Sequence, residues 1–131
     1  MILLDTHVLV WLAGKPGKLS KPATRAIARA AAFGGVAIAS ITLWEVAILL
    51  ARGRLRAAGG IEHAVRALIE SRPIVVRELT PTIAAITAQL PEQFPRDPCD
   101  RVIAATAMTE SIALVTHDAD LLASPLVKTI W

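Results

Sequence analysis

A chain of 131 residues, 54% hydrophobic and 19% charged, has the size of one domain and the makeup of an apolar-cored globule, which excludes disorder. The single cysteine, Cys99, excludes an intramolecular disulfide and suits a reducing compartment, and no Cys/His cluster has zinc-site spacing. A net charge of +3 permits a polyanionic partner without demanding one.

In chain order, short apolar runs alternate with helical ones. Ile2–Leu4 reads as a strand and Thr6–Leu12 as a short helix. Pro22–Phe33, rich in Ala and with Arg25 and Arg29 on one side, reads as a helix. Val36–Ala39 reads as a strand, followed by a helix from about Ile41 to Arg52. Glu45 is the only charge between Arg29 and Arg52, so a membrane span must be considered. A span needs ~20 apolar residues. Gly34-Gly35 breaks the run, and a lone Glu within a span is costly, so no membrane segment is expected. Met1-Ile-Leu-Leu-Asp5 has no basic start and meets an acid at once, unlike a signal peptide, and the expected location is cytoplasmic.

Gly53 and Gly59-Gly60 punctuate the chain before a helix over Ile61–Ser71 and a strand at Ile74–Val76. Thr80-Pro81 has the form of an N-cap with Pro at the first helical position, and starts a helix to about Leu90. Pro91–Pro95 is a loop, Cys99–Glu110 a helix, Ala113–Val115 a strand, Asp118–Ala123 a short helix and Leu126–Ile130 a final strand. Short apolar strands without alternation are expected to be buried on both faces, and strands separated by helices imply a parallel sheet. The expected fold is one α/β domain over residues 1–131, a three-layer α/β/α sandwich around a mainly parallel sheet. Such sheets bind ligands outside the carboxyl ends of their strands, where the strand order switches.

All five aspartates, Asp5, Asp97, Asp100, Asp118 and Asp120, follow a strand or start a helix. Capping explains each one singly. Asp97-Pro98-Cys99-Asp100 reads as N-cap, Pro at N1 and an acid at N3, and Thr42-Leu-Trp-Glu45 matches a capping box. Asp5 and Asp118 can cap the helices after them. Capping does not explain Glu45 on a helix apolar almost all round, with no Lys or Arg nearby in sequence before Arg52. A parallel sheet places the ends after Leu4, Ala39 and Val115 on one edge, where Asp5, Glu45, Asp100 and Asp118 can converge. Four carboxylates around one cavity repel unless a hard cation sits between them, and oxygen-only ligands suit Mg²⁺ or Mn²⁺. Without the cation, part of the set should be held protonated above its usual range, and removing one charge, as in Asp5→Asn, should relieve strain.

Four segments in order, Leu3-Leu-Asp5-Thr-His7 with Trp11, Ser40-Ile-Thr-Leu-Trp-Glu45, Arg96-Asp-Pro-Cys-Asp-Arg101 with Ile103-Ala-Ala-Thr-Ala107, and Leu114-Val-Thr-His-Asp118, span nearly the whole chain. In these the chain resembles PIN-domain ribonucleases, specifically toxins of the VapC kind. Cys99 departs from the pattern, standing where many relatives have an aromatic. The resemblance implies a metal-dependent endoribonuclease that hydrolyses RNA phosphodiesters with a metal-activated water. It implies Asp5 and Asp100 as main ligands of Mg²⁺ or Mn²⁺, with Glu45 and Asp118 completing the catalytic set. Asp97 is read as the N-cap with an auxiliary role open, and the Thr6 and Thr116 hydroxyls are auxiliary groups beside the cluster. A cognate antitoxin, lying in an apolar groove and approaching the acids, and a homodimer are implied as partners.

Arg52, Arg54 and Arg56 fit either phosphate contact or a helix end whose dipole favours cations. Arg101 fits phosphate contact or a pair with a neighbouring acid, and the pair is the favoured expectation. His7 and His117 flank the acids but are not expected as ligands, and Trp11 and Trp44 are expected in the core or in a partner groove. A phosphatase of the haloacid dehalogenase type would need an acid where His7 stands, and a receiver domain would need paired acids before the first helix. A catalytically inactive antitoxin-binding module predicts an eroded acidic set, and the set is intact.

Overall fold

A computed structural model describes all residues, Met1–Trp131. Five strands form one sheet: β1 (Ile2–Leu4), β2 (Val36–Ala39), β3 (Ile74–Arg77), β4 (Ala113–Val115) and β5 (Thr129–Ile130). The order is β3-β2-β1-β4-β5 and every pairing is parallel. Seven α-helices connect and cover it: α1 (Thr6–Gly14), α2 (Lys21–Phe33), α3 (Ser40–Ala51), α4 (Ile61–Glu70), α5 (Pro81–Gln89), α6 (Pro98–Glu110) and α7 (Ala119–Ala123). The α/β/α sandwich is the architecture expected from the alternation of short strands and helices.

Side chains alternate across the short central strands and build two cores. On one face Ile2, Leu4, Val36, Ile38 and Val115 meet Val8 and Leu9 of α1 and Ala23, Ile27 and Ala30 of α2. On the other, Leu3, Ala37, Ala39 and Leu114 meet Ile103, Ala104 and Ala107 of α6, with Leu90, Phe94 and Leu121. The alanines on β2 and α6 let that helix lie close to the sheet, because a methyl group is the largest side chain between them.

Burial on both faces holds for β1 and β2 but not for β3, which is an edge strand with Val75 40% exposed. The final strand is two residues long, because Leu126 and Val127 belong to the turn before it. A 3-10 turn at Pro16–Lys18, which no apolar pattern marks, links α1 to α2. The apolar stretch around Glu45 divides into β2 and α3, and no helix is long and apolar enough to cross a membrane.

One residue departs from ordinary backbone geometry. Ser111 ends α6 at φ 54° and ψ 38°, the left-handed conformation in which glycine is preferred. Ser111→Gly should therefore stabilise the fold by about 0.5–1 kcal/mol, after allowing for glycine's freer unfolded state. A urea or thermal melt with an unchanged or lower midpoint would contradict this.

Candidate active site

Strand order turns between β1 and β4, since the chain passes from β1 to β2 on one side and β4 pairs on the other. The crevice of a parallel sheet opens at the carboxyl ends beside such a turn. Asp5 stands there as the residue after β1, and its N–H donates to the Val115 carbonyl at 3.0 Å. Its carboxylate is buried, so both oxygens require donors. One accepts from the Thr6 N–H at 2.7 Å, which caps α1, and the other from the Thr116 hydroxyl at 2.6 Å. Thr116 Oγ1 itself accepts from the Asp118 N–H at 3.0 Å.

Glu45 enters from α3. The Thr6 hydroxyl donates to Glu45 Oε1 at 2.6 Å, and the Thr6 and Thr42 hydroxyls are 3.2 Å apart. Thr6 has one hydroxyl proton and the short contact to a carboxylate holds it, so the Thr42 proton serves the longer contact. Thr42 is fully buried. The capping box expected of Thr42 and Glu45 does not form. With no loop between β2 and α3, the helix starts at Ser40 with Ala39 at its N-cap, and Thr42 lies inside the first turn. The same spacing that suggested a cap instead puts Thr42 and Glu45 side by side, one turn apart, on the face that meets Thr6. Thr42 is the site residue that sequence reading missed.

Asp97 and Asp118 do form the caps expected of them. Asp97 Oδ1 accepts from the N–H groups of Cys99 at 2.9 Å and Asp100 at 3.1 Å, with Pro98 opening α6. Asp118 Oδ1 accepts from the N–H groups of Asp120 and Leu121, both at 2.9 Å. Asp100, in the first turn of α6, completes the group. Burial, and then the charges of Asp97, Asp5, Asp118 and Glu45, push its carboxyl up to about 7. Burial also raises Glu45, against the Thr6 hydrogen bond, with Asp5 and Asp97 adding to the rise. The Cys99 thiol is pushed up to about 12 by burial and by Glu45, Asp97 and Asp100. Three separate groups thus feel the same acids.

No Lys or Arg forms an ion pair with these acids. The ion pairs are Arg66 with Glu62 and Glu70, and Arg77 with Glu110, all outside the crevice. As the side chains stand, no three carboxylates close into a ligand shell. Mg²⁺, however, takes one or two carboxylates and fills its remaining positions with water. An oxygen-only set with raised carboxyls and no Lys or Arg paired to it fits a hard divalent ion.

The arginines and tryptophans that the sequence singled out divide between their expected places and new ones. Arg101 pairs with no acid. Its Nε donates to the Pro95 carbonyl at 2.8 Å and its Nη2 to the Phe94 carbonyl at 3.2 Å, because the loop before α6 leaves these acceptors without backbone partners. Arg52 is the C-cap of α3, and seven residues of helix, about 10 Å, separate it from Glu45. That favours the helix-end reading of Arg52, Arg54 and Arg56. Trp44 is 57% exposed, not in the core. Trp11 is half-buried and packs against His7, His117 and Trp131, with ring centroids 6.2, 5.5 and 5.8 Å away.

Asp5→Asn would also remove an acceptor from the Thr116 hydroxyl, so the strain expected of the cluster is best tested at Asp100, whose carboxyl is raised. For a carboxyl raised in the fold, stability is full below the unfolded value of 3.8 and is lost as pH rises through about 7. Metal-free protein should therefore lose thermal stability between about pH 4 and 7, and Asp100→Asn should flatten that slope. Equal slopes for the two proteins in EDTA would contradict the assignment.

The comparisons with known proteins agree with this geometry. The PIN domain family matches residues 2–124. Ribonuclease VapC22 of Mycobacterium tuberculosis is 36% identical over 132 residues, covering 99% of this chain and 98% of its own. The VapBC2 structure of Rickettsia felis, bound to a DNA fragment from its promoter, superposes with a TM-score of 0.73 at 17% identity, covering 98% of this chain and 97% of that one. A toxin–antitoxin complex of Klebsiella pneumoniae superposes with a TM-score of 0.67 at 22% identity, covering 97% and 95%. The chain belongs to the PIN-domain family, among its VapC-like members.

Proposed function

We propose that the chain is a divalent-metal-dependent endoribonuclease, the toxin of a toxin–antitoxin pair, acting as a single domain over residues 1–131. The observation that carries this reading is a half-buried carboxylate cluster at the β1/β4 switch to which no Lys or Arg is paired. Kinship with a protein named as a ribonuclease supports the substrate class.

In this reading Asp5 and Asp100 hold Mg²⁺ or Mn²⁺, with Glu45 and Asp118 completing the catalytic set. When bound, the ion supplies a water of lowered pKa and positive charge against the phosphate. Thr116 orients Asp5 through its hydroxyl, and Thr6 orients Glu45. Glu45 Oε2 accepts no hydrogen bond from the protein, which leaves it able to take a proton from the attacking water. Asp97 acts by holding the start of α6, and so the place of Asp100. The toxin–antitoxin complex among the structural relatives supports an antitoxin partner. The homodimer and the cytoplasmic location belong to the same reading, and a solution mass measurement tests the former.

The purified chain should cut single-stranded RNA with Mg²⁺ or Mn²⁺, stop in EDTA, and work poorly with Ca²⁺, which is larger and less exacting in geometry. Cutting in EDTA by a preparation free of contaminating nuclease would overturn the metal-dependent reading. Asp5→Asn and Asp100→Asn should lower the rate by orders of magnitude while the fold persists. Glu45→Gln and Asp118→Asn should also be impaired. Asp97→Asn should be milder, because Asn caps helices well. Full activity in a folded Asp5 or Asp100 variant would reject the ligand assignment.

A further inference from the structure

Four of the five aspartates face one another's charge at the crevice, and the fifth has no part there. Asp120 is exposed in the first turn of α7, and its carboxylate meets no Lys, Arg or His. It lines a separate cleft of about 540 Å³ between the loop after α5 and the segment that follows α7. Pro95, Pro125 and Leu126 give the cleft apolar walls, and Gln93, Asp120 and Ser124 give it polar groups. Both walls are tied to the acidic crevice. The Asp120 N–H donates to Asp118 Oδ1 at 2.9 Å. On the other side, Arg101 holds the Pro95 carbonyl at 2.8 Å, two residues before Asp97.

We propose that this cleft takes an unpaired base of the RNA, next to the phosphate that is cut, and that Asp120 makes it prefer guanine. The proposal rests on the ribonuclease reading above. The volume lies within the ~300–1,000 Å³ typical of small-ligand clefts. No Lys or Arg lines the cleft and Asp120 repels anions, so a phosphate is excluded and an uncharged ring is favoured. Proline and leucine walls suit the faces of a base. In single-stranded RNA the Watson–Crick edge is free for hydrogen bonding. Guanine presents two adjacent donors there, N1–H and N2–H, which match the two oxygens of one carboxylate. Adenine, cytosine and uracil each present one donor group on that edge. Gln93 and Ser124 remain for the guanine O6.

The test is cleavage of a random-sequence single-stranded RNA pool, with the new 5′ ends sequenced. Wild type should show guanine at one fixed position beside the cut. Asp120→Asn, an exposed change, should lower that preference about tenfold, as expected for losing one bidentate pair, by weakening cleavage beside guanine while cleavage beside the other bases is retained. Ala123→Trp, which fills the cleft, should raise KM on all RNAs more than it lowers kcat. The same base profile from wild type and from folded, active Asp120→Asn would overturn the proposal and leave the cleft to a protein partner. A wild type that cuts no RNA would instead overturn the ribonuclease reading, and that arm is read first.

Discussion

The hydrogen bond from Thr116 to Asp5 joins residues 111 apart in sequence, and the crevice depends on it. It closes the end of the β1/β4 pairing, where the ladder has run out of backbone partners. A carboxylate buried there without donors would cost several kcal/mol. Satisfied by Thr116 on one side and the Thr6 N–H on the other, it becomes a fixed point. The chain on both sides is then ordered around it. Thr6 opens α1 and reaches Glu45, and Thr116 receives the N–H of Asp118.

An aspartate caps three of the helices that begin at this edge: Asp5 for α1, Asp97 for α6 and Asp118 for α7. Capping and clustering are therefore one arrangement rather than rival explanations. The caps hold the helix starts in place, and the positive ends of the helix dipoles offset part of the crowded negative charge. Asp100 is less well provided for. It lies inside the first turn of α6 and, because alanines let that helix approach the sheet, it sits within the field of four other acids.

The strands and caps were legible because local chemistry dictates them. Ile2–Leu4, Val36–Ala39 and Ala113–Val115 are short, wholly apolar runs, and Asp97-Pro98 is a cap that few other structures would use. The convergence of Asp5, Glu45, Asp100 and Asp118 followed from topology, since parallel strands end on one edge. What escaped is what depends on where a helix starts or on an acceptor's missing partner. Thr42 was read as a cap because the Thr-Leu-Trp-Glu pattern does not show that α3 starts at Ser40, directly after β2. Arg101 was given to an acid because sequence does not display two idle carbonyls at Phe94 and Pro95. The exposure of β3 was hidden for a similar reason, as an edge strand and a central one can share the same apolar letters.

Cys99 lies between two acids of the crevice, buried, with its thiol held up at about 12. The thiolate, not the thiol, is the form that attacks electrophiles and is oxidised. At neutral pH that form is almost absent here. Burial first, and then the field that makes the crevice attractive to cations, keep its one sulfur chemically silent. Peroxide and alkylating agents should find little to react with at the protein's only cysteine, although it stands at the edge of the most polar region of the fold.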